Sequence, residues 1–351
     1  MGSVLVTGGS GFIGSHTCLM LLEQGYNVYV VDSHVNSSPK SIDRVLQLSK
    51  QRLNPKPSKL ELIEGDLRNK SLLKEIFINA KKQGREIDSV IHFAGLKSVK
   101  ESVLDPLLYW DNNVIGTINL IQVMDSFGCR RIVFSSSATI YGKSSAEKIK
   151  ENCVIKPINP YGETKAAIEK ILANLSDRPR DPWRVANLRY FNPIGAHPSG
   201  LIGEDPLGKP NNIFPIINQV AYKNLNELMI YGSDWGTPDG TGIRDYIHIM
   251  DLVEGHILAL NYLFKGEEKL ITLNLGTGNG TSVLALVNTF QEVNDVEIPY
   301  SFQERREGDV SVTIADNGLS LKLLNWCPKR TLEEMCKDGW EWQKSNPNGY
   351  E

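Results

Sequence analysis

The apolar and polar positions of this 351-residue chain change period repeatedly along its first half. Short apolar runs at residues 4–6, 28–31, 59–64, 88–95 and 131–134 read as buried strands. Each is followed by a segment with apolar residues at helical spacing, at 15–24, 41–50, 72–83, 114–124 and 166–175. Strands alternating with helices predict α/β architecture, a doubly wound parallel-sheet Rossmann domain. Farther on, Asp251 and Ser282 are expected to cap helices at 252–263 and 283–293, with a strand at 270–275 that rejoins the sheet. The expected division is a Rossmann domain over 1–192, to which 245–278 returns. A smaller mixed α/β C-terminal lobe takes 193–244 and 279–351, its Trp326, Trp340 and Trp342 serving as packing.

The first strand runs into Gly8-Gly9-Ser10-Gly11-Phe12-Ile13-Gly14, where glycines recur every third residue ahead of a helix. A pyrophosphate needs bare backbone N–H groups at a helix start, where the dipole favours negative charge. A Cβ at Gly8, Gly11 or Gly14 would obstruct the turn, the phosphate or the packing of helix on strand. Asp32 closes the second strand. A carboxylate there accepts from a ribose 2′-OH and repels a 2′-phosphate, which favours NAD over NADP. Phe12 and Ile13 complete the predicted cofactor loop.

Other cofactor candidates follow at the carboxyl edge of the sheet, where such folds bind ligands. Asn36 and Ser37 lie in a polar excursion whose helix is bounded by Pro39, Pro55 and Pro57. Asp66 follows the third strand and either accepts from an adenine amine or caps the next helix. Phe93, Ala94 and Gly95 end the fourth, with Lys97 beyond, while His92 inside that strand reads as a core residue. Asn112 falls in an apolar helix, where a buried amide needs partners that a cofactor or a neighbouring backbone would supply.

Three hydroxyls, Ser135, Ser136 and Ser137, tip the fifth strand. Beyond them Pro160 suits a helix opening, and Tyr161 and Lys165 stand at i and i+4 on one face. An ammonium close to a phenol favours phenolate and lowers its pKa from about 10 toward the working pH.

Charge and cysteine usage narrow the partners. With 38 Lys and Arg against 41 Asp and Glu, the chain has no field that would gather nucleic acid or an anionic membrane. An anionic substrate must be held locally, and Arg244 with the Arg305–Arg306 pair offers fork donors suited to a diphosphate. The five cysteines (Cys18, Cys129, Cys153, Cys327, Cys336) have no metal-ligand spacing, so reduced thiols and no metal are expected. The first strand starts close to Met1, leaving no room for a signal peptide, and no apolar run approaches the roughly 18 residues of a membrane span. A cytoplasmic location is expected.

The glycine spacing is similar to that of extended short-chain dehydrogenase/reductases, and longer blocks narrow the likeness. Thr7 to His16, Gly65-Asp66, His92 to Lys97, Ser135 to Gly142 and Tyr161 to Lys165 resemble the UDP-glucose 4-epimerase family. So do Leu188 to Pro193, Pro210 to Asn212, Asp239 to His248 and Arg305 to Asp309, so the resemblance spans the chain in order. It implies that Tyr161 is the acid/base, that Lys165 tunes it and binds the nicotinamide ribose, and that Ser137 holds the sugar 4-oxygen. It further implies NAD contacts at Asp32, Asn36, Ser37, Asp66, Leu67, Phe93, Lys97, Asn112 and Tyr190. The UDP-hexose falls to Asn192, Asn212, Ile213, Tyr231, Arg244, Arg306, Asp309 and Thr313.

The implied reaction interconverts UDP-glucose and UDP-galactose through a transient 4-keto sugar, with tightly held NAD regenerated each cycle. A homodimer is implied, with the helices at 114–124 and 166–175 as interface candidates. Thr313 stands where some members carry Tyr beside the sugar 2-position, and the smaller side chain predicts that N-acetylated UDP-hexoses are accepted too. One alternative is a nucleotide-sugar 4,6-dehydratase, but such enzymes carry an Asp-Glu pair where this chain has Ala138-Thr139. Another is a dinucleotide sensor on the same fold, which need not keep the Tyr–Lys pair.

Overall fold

The computed structural model describes residues 2–50, 58–144, 146–208, 210–266, 268–306 and 308–351. Pro55 and Pro57, read above as bounding the second helix, lie outside them. The chain folds as two compact units, one of residues 1–142, 155–189 and 253–273, the other of 143–154, 190–252 and 274–351. The expectation set its boundaries at 192, 244 and 278 and kept 143–154 in the Rossmann domain.

In the first unit, seven strands form one sheet. They are β1 (Ser3–Thr7), β2 (Asn27–Asp32), β3 (Leu60–Glu64), β4 (Ile87–His92), β5 (Arg131–Ser137), β6 (Arg184–Tyr190) and the strand Leu270–Leu275. Their order across the sheet is Leu270–Leu275, β6, β5, β4, β1, β2, β3. The pairs β1–β2, β1–β4, β2–β3 and β4–β5 are parallel. Strand order reverses at β1, the switch point where doubly wound sheets open a crevice at their carboxyl edge. All five residues of β1 are buried, which is why its run is continuously apolar.

The helices of this unit include α1 (Phe12–Glu23), α2 (Lys40–Lys50), α3 (Lys70–Lys82), α4 (Val99–Leu104), α5 (Pro106–Tyr109), α6 (Gly116–Ser126), α7 (Pro160–Ser176) and most of the helix Ile249–Lys265. A π-helical turn, Trp110–Ile115, joins α5 to α6. In α3 the buried residues Leu73, Ile76, Phe77 and Ala80 follow helical spacing. Its cap is Asn69, whose side chain accepts from Leu72 N at 3.1 Å, so Asp66 does not cap it. His92 is indeed core, held between Thr7 Oγ1 at 2.6 Å and Thr117 Oγ1 at 2.8 Å. Burial, with help from the Lys165 charge, pushes its pKa down to about 3 and keeps the ring neutral.

The two runs read as interface candidates differ. In 114–124, Val114, Leu120, Ile121, Val123 and Met124 are buried and Ile115 is exposed, whereas in 166–175 Ile168 and Leu172 are buried and Ala166, Ala167, Ile171, Ala173 and Leu175 are half-buried. Exposed apolar residues also stand on α4, α5 and the π turn, among them Val103, Leu104, Leu107, Leu108 and Trp110, with Leu104 and Leu107 76% and 78% exposed.

In the second unit, Ile243–Arg244 pairs antiparallel with Thr281–Ser282 and parallel with Val312–Thr313. Asn192–Ile194 pairs with Tyr246–His248, and Leu228–Tyr231 with Tyr300–Gln303. The helices Ile213–Ala221, Val283–Asn294 and Leu332–Ser345 enclose a core that includes Phe214, Leu286, Phe290 and Met335. Ser282 caps Val283–Asn294, accepting from Ala285 N at 3.0 Å. Asp251 caps nothing. The helix begins earlier than expected, at Ile249, and His248 Nδ1 accepts from Met250 N at its start. The buried Asp251 carboxylate accepts instead from Lys329 N and Arg330 N, at 3.0 and 2.9 Å. Trp326 and Trp342 are buried as packing residues, while Trp340 packs against Phe290 and Tyr222. Among the described residues no helix is long and apolar enough to cross a membrane.

Candidate active site

At the turn after β1, Gly8 has φ +69°, and a Cβ there would come within 2.7 Å of Ala94 N. A Cβ on Gly14 would lie 2.2 Å from the Gly8 carbonyl oxygen. These two glycines therefore let backbone approach backbone. Gly11 is different, because a Cβ on it would meet only Gly8 O, at 3.4 Å. It is also the N-cap of α1 and provides no side-chain cap, which leaves first-turn N–H groups for an anion. The space kept clear at Gly11 is thus space for a ligand, and Phe12 and Ile13 open the helix beside it.

Asp32 ends β2 and is already organised. Ser10 N donates to its Oδ2 at 2.9 Å, and His34 N and Ser37 Oγ donate to Oδ1 at 3.0 and 2.9 Å. Asn36 and Lys97 are exposed, Leu67 and Tyr190 buried. The Asp66 carboxylate is gripped by the Arg68 guanidinium at 2.6 Å, which holds it below the usual carboxylate range. Phe93 N and Ala94 N both donate to Thr7 O, at 3.0 and 3.1 Å, folding the end of β4 against β1. Gly95 adopts φ +155°, and a Cβ on it would sit 3.1 Å from Asn113 Oδ1.

The buried amide expected at Asn112 is Asn113. Asn113 Oδ1 accepts from Leu96 N at 2.8 Å, and its Nδ2 donates to Leu96 O and Thr164 Oγ1 at 3.1 and 3.2 Å. Asn112 is half-buried. The reason is the π turn, whose extra residue displaces the inward position from ordinary 3.6-residue spacing.

Asn159 caps α7, accepting from Gly162 N at 2.8 Å, and this sets Tyr161 in the first turn. Ser137, at the tip of β5, acts on the Tyr161 phenol. Thr139 Oγ1 donates to Ser137 Oγ, at 2.9 Å. Lys165 Nζ donates to Ser135 O at 2.7 Å and lies 5.0 Å from the centre of the Phe134 ring and 5.8 Å from that of Tyr161. Burial pushes the Tyr161 phenol up, and the Ser137 hydrogen bond pulls it down. Burial lowers Lys165 to about 8, opposed by the Glu169 carboxylate.

The second unit holds the other candidates. Arg244 and Thr313 face each other in register on paired strands. Asn192 N and Nδ2 both donate to the Asp245 carbonyl, at 3.0 and 3.2 Å. The Asp245 carboxylate is fully buried and accepts from Thr277, Gly278 and Ala315, tying two segments to the strand next to Arg244. Of the arginine pair, Arg305 lies over Trp235 at 4.0 Å and pairs with Asp234, whereas Arg306 stacks over Tyr231 at 3.7 Å. Asp309 N donates to Arg306 O at 3.2 Å. Asn212 stands at the start of Ile213–Ala221 without capping it, its amide donating to Glu204 at 3.0 Å.

Comparison with known proteins decides the family. A family described as GDP-mannose 4,6 dehydratase matches residues 5–339. UDP-glucose 4-epimerase 2 of Arabidopsis thaliana is 49% identical over 348 residues, 99% of this chain and 97% of that protein. The chain belongs to the UDP-glucose 4-epimerase family. Two crystal structures of such epimerases superpose closely. That from Stenotrophomonas maltophila, with bound NAD and formylated UDP-arabinopyranose, gives a TM-score of 0.92 at 42% identity, covering 99% of both chains. That from Bifidobacterium longum, in complex with NAD+ and UDP, gives 0.89 at 42% identity with the same coverage. The dehydratase in the broader family's description does not carry over. Elimination of water needs acids beside Ser137, and Ala138 and Thr139 supply none.

Four polar residues of these networks escaped the sequence reading: Asn113, Glu169, Arg189 and Asp245. Glu169 left a signal, an acid four residues beyond Lys165 on the face that α7 buries.

The glycines separate fold from binding in one experiment. Gly14→Ala, with its Cβ pressed on backbone, should unfold at distinctly lower temperature than the parent. Gly11→Ala should keep nearly the parent's thermal midpoint while losing at least tenfold in dinucleotide affinity. Calorimetry of both variants checks this, and equal destabilisation would refute the distinction.

Proposed function

We propose that the chain is an NAD-dependent 4-epimerase interconverting UDP-glucose and UDP-galactose through a transient 4-keto sugar. The observation that carries the reading is the buried Lys165 ammonium 5.8 Å from the centre of the Tyr161 ring, with Ser137 at the neighbouring strand tip, at the carboxyl edge of a sheet whose first turn is kept open at Gly11. The residues fit NAD. Gly8, Gly11, Phe12, Ile13 and Gly14 would take the pyrophosphate, and Asp32, Asn36 and Ser37 the adenosine ribose. Asp66 and Leu67 lie toward the adenine, and Phe93, Ala94, Gly95, Lys97, Asn112, Tyr161, Lys165 and Tyr190 toward the nicotinamide half. When bound, NAD accepts a hydride from sugar C4 and returns it, which makes the net reaction redox-neutral.

This chain's own residues handle the proton and the position. Tyr161, as phenolate, removes the proton of the sugar 4-OH as C4 is oxidised, and gives it back when the ketone is reduced on the other face. Ser137 donates to the 4-oxygen in either configuration. Lys165 supplies positive charge beside the phenolate. Arg244 and Arg306 grip the diphosphate by charge-assisted bonds, with Asn192, Asn212, Ile213, Tyr231 and Asp309 about the rest of the nucleotide sugar. A firm grip on UDP and a loose one on the hexose let the ketone turn over without escaping.

Three finer statements belong to the same reading. Thr313, half-buried beside Arg244, leaves room for an N-acetyl group, so N-acetylated UDP-hexoses are substrates too. The protein acts as a homodimer whose contact is the exposed apolar set on α4, α5 and the π turn, since an isolated chain would leave those side chains in water. The five free cysteines suit the reducing cytoplasm.

Proton NMR of UDP-galactose with purified protein and no added cofactor should show the UDP-glucose anomeric signal growing in. Tyr161→Phe should slow it by at least about 10²–10⁴-fold with UDP-galactose still bound, and near-normal turnover in that variant would sink the assignment. Thr313→Tyr should depress turnover of UDP-N-acetylgalactosamine selectively; an equal loss on both substrates would remove Thr313 from that role. In analytical ultracentrifugation the parent should sediment as a dimer and Leu107→Lys as a monomer, whereas a monomeric parent would refute the interface.

A further inference from the structure

Three consecutive residues of β5 each meet one residue on a single face of α7. Lys165 Nζ donates to the Ser135 carbonyl at 2.7 Å, and Ser137 acts on the Tyr161 phenol. Between them, Ser136 Oγ donates to Glu169 Oε1 at 2.5 Å. Tyr161, Lys165 and Glu169 succeed one another at i, i+4 and i+8, so they stand in a row along the helix. The first two have places in the chemistry proposed above, and the third has none.

Glu169 is an acid only 6% exposed, a burial that carboxylates tolerate only when paired. Its partner is Arg189 on β6, whose Nε reaches Oε1 at 2.9 Å and whose Nη2 reaches Oε2 at 2.6 Å. Arg189 Nη1 donates in turn to the Tyr141 hydroxyl at 2.9 Å. Apolar residues in place of such a buried fork are often neutral or better, so a buried ion pair is weak evidence of a stabilising role.

We propose that Glu169 is a positioning residue for the acid–base pair, an inference that rests on the epimerase reading: held by Ser136 and Arg189, it sets α7 on the strand tip and keeps the Lys165 ammonium charged beside Tyr161. Burial works against that charge, bringing Lys165 to about 8, and the Glu169 carboxylate opposes it. Tyr161 and Glu169 on α7 and His92 on β4 are titratable groups about Lys165, and His92 is neutral. The other elements packed against α7 carry Lys100 and Glu101 on α4, Tyr109 on α5, Asp111 in the π turn and Tyr141 after β5. Arg189 acts on Lys165 through Glu169.

Without Glu169, Lys165 should lose its proton at lower pH. Two readouts test this on the holoenzyme: the pH profile of UDP-galactose turnover, and an NMR titration of lysine isotope-labelled at Cε, with Lys165 assigned by Lys165→Met. In Glu169→Gln the alkaline limb of kcat and the Lys165 titration should both move to lower pH by about one pH unit, with KM nearly unchanged. Glu169→Asp, which keeps the charge, should bring both back toward the parent. If Glu169→Gln does not fold, the double variant Glu169→Gln/Arg189→Met removes both buried charges and should displace limb and titration in the same direction by a smaller amount, since the opposing Arg189 charge leaves as well. A lower rate with limb and titration unmoved would show a purely structural role and overturn the proposal. Should the parent leave UDP-galactose unchanged, the epimerase reading fails by itself, and the Lys165 titration still decides for or against Glu169.

Discussion

The close approach of backbone to backbone at the first turn is the constraint on which the rest of the first unit depends. Gly14 lies so near the Gly8 carbonyl, and Gly8 so near Ala94, that no side chain fits at either place. Helix α1 can therefore begin directly over the carboxyl ends of β1 and β4. That placement leaves an uncapped helix start facing the point where strand order reverses, and the same edge receives Asp32 from β2 and the serines of β5. The open helix start, the acid and the serines are brought to one edge because one turn is tight.

Polar groups at this edge are positioned by buried hydrogen bonds. Thr7, His92 and Thr117 form a neutral chain beneath the loop, and Asn113 locks Leu96 to Thr164. Buried polar networks of this kind are costly when incomplete and rigid when satisfied. The second unit repeats the device with Asp245, whose carboxylate gathers two segments around the strand carrying Arg244.

Charge is distributed with the same economy. Arg305 is neutralised by Asp234 and laid on Trp235, while its neighbour Arg306 lies over Tyr231. Adjacent arginines of identical chemistry thus have different surroundings, and only the fold tells them apart. The three serines of β5 likewise differ: one offers its carbonyl to Lys165, one its hydroxyl to Glu169, one its hydroxyl to the Tyr161 pair.

The sequence by itself determined the alternation of strand and helix, the glycine turn, the acid ending β2 and the Tyr–Lys pair. All of these are local: a period of two or 3.6, a residue whose missing Cβ matters to its neighbours, an i,i+4 spacing. It misplaced the buried amide by one residue because a π turn has no signature in apolar spacing, and it misread Asp251 as a cap because its true donors, Lys329 and Arg330, lie far along the chain. Whether Lys165 bonds a phenol or a strand carbonyl, and whether Glu169 is solvated or clamped by Arg189, depends on which distant backbone arrives alongside. Those choices are made by burial, where a polar group must take whatever partner the packing brings, and only the tertiary structure decides them.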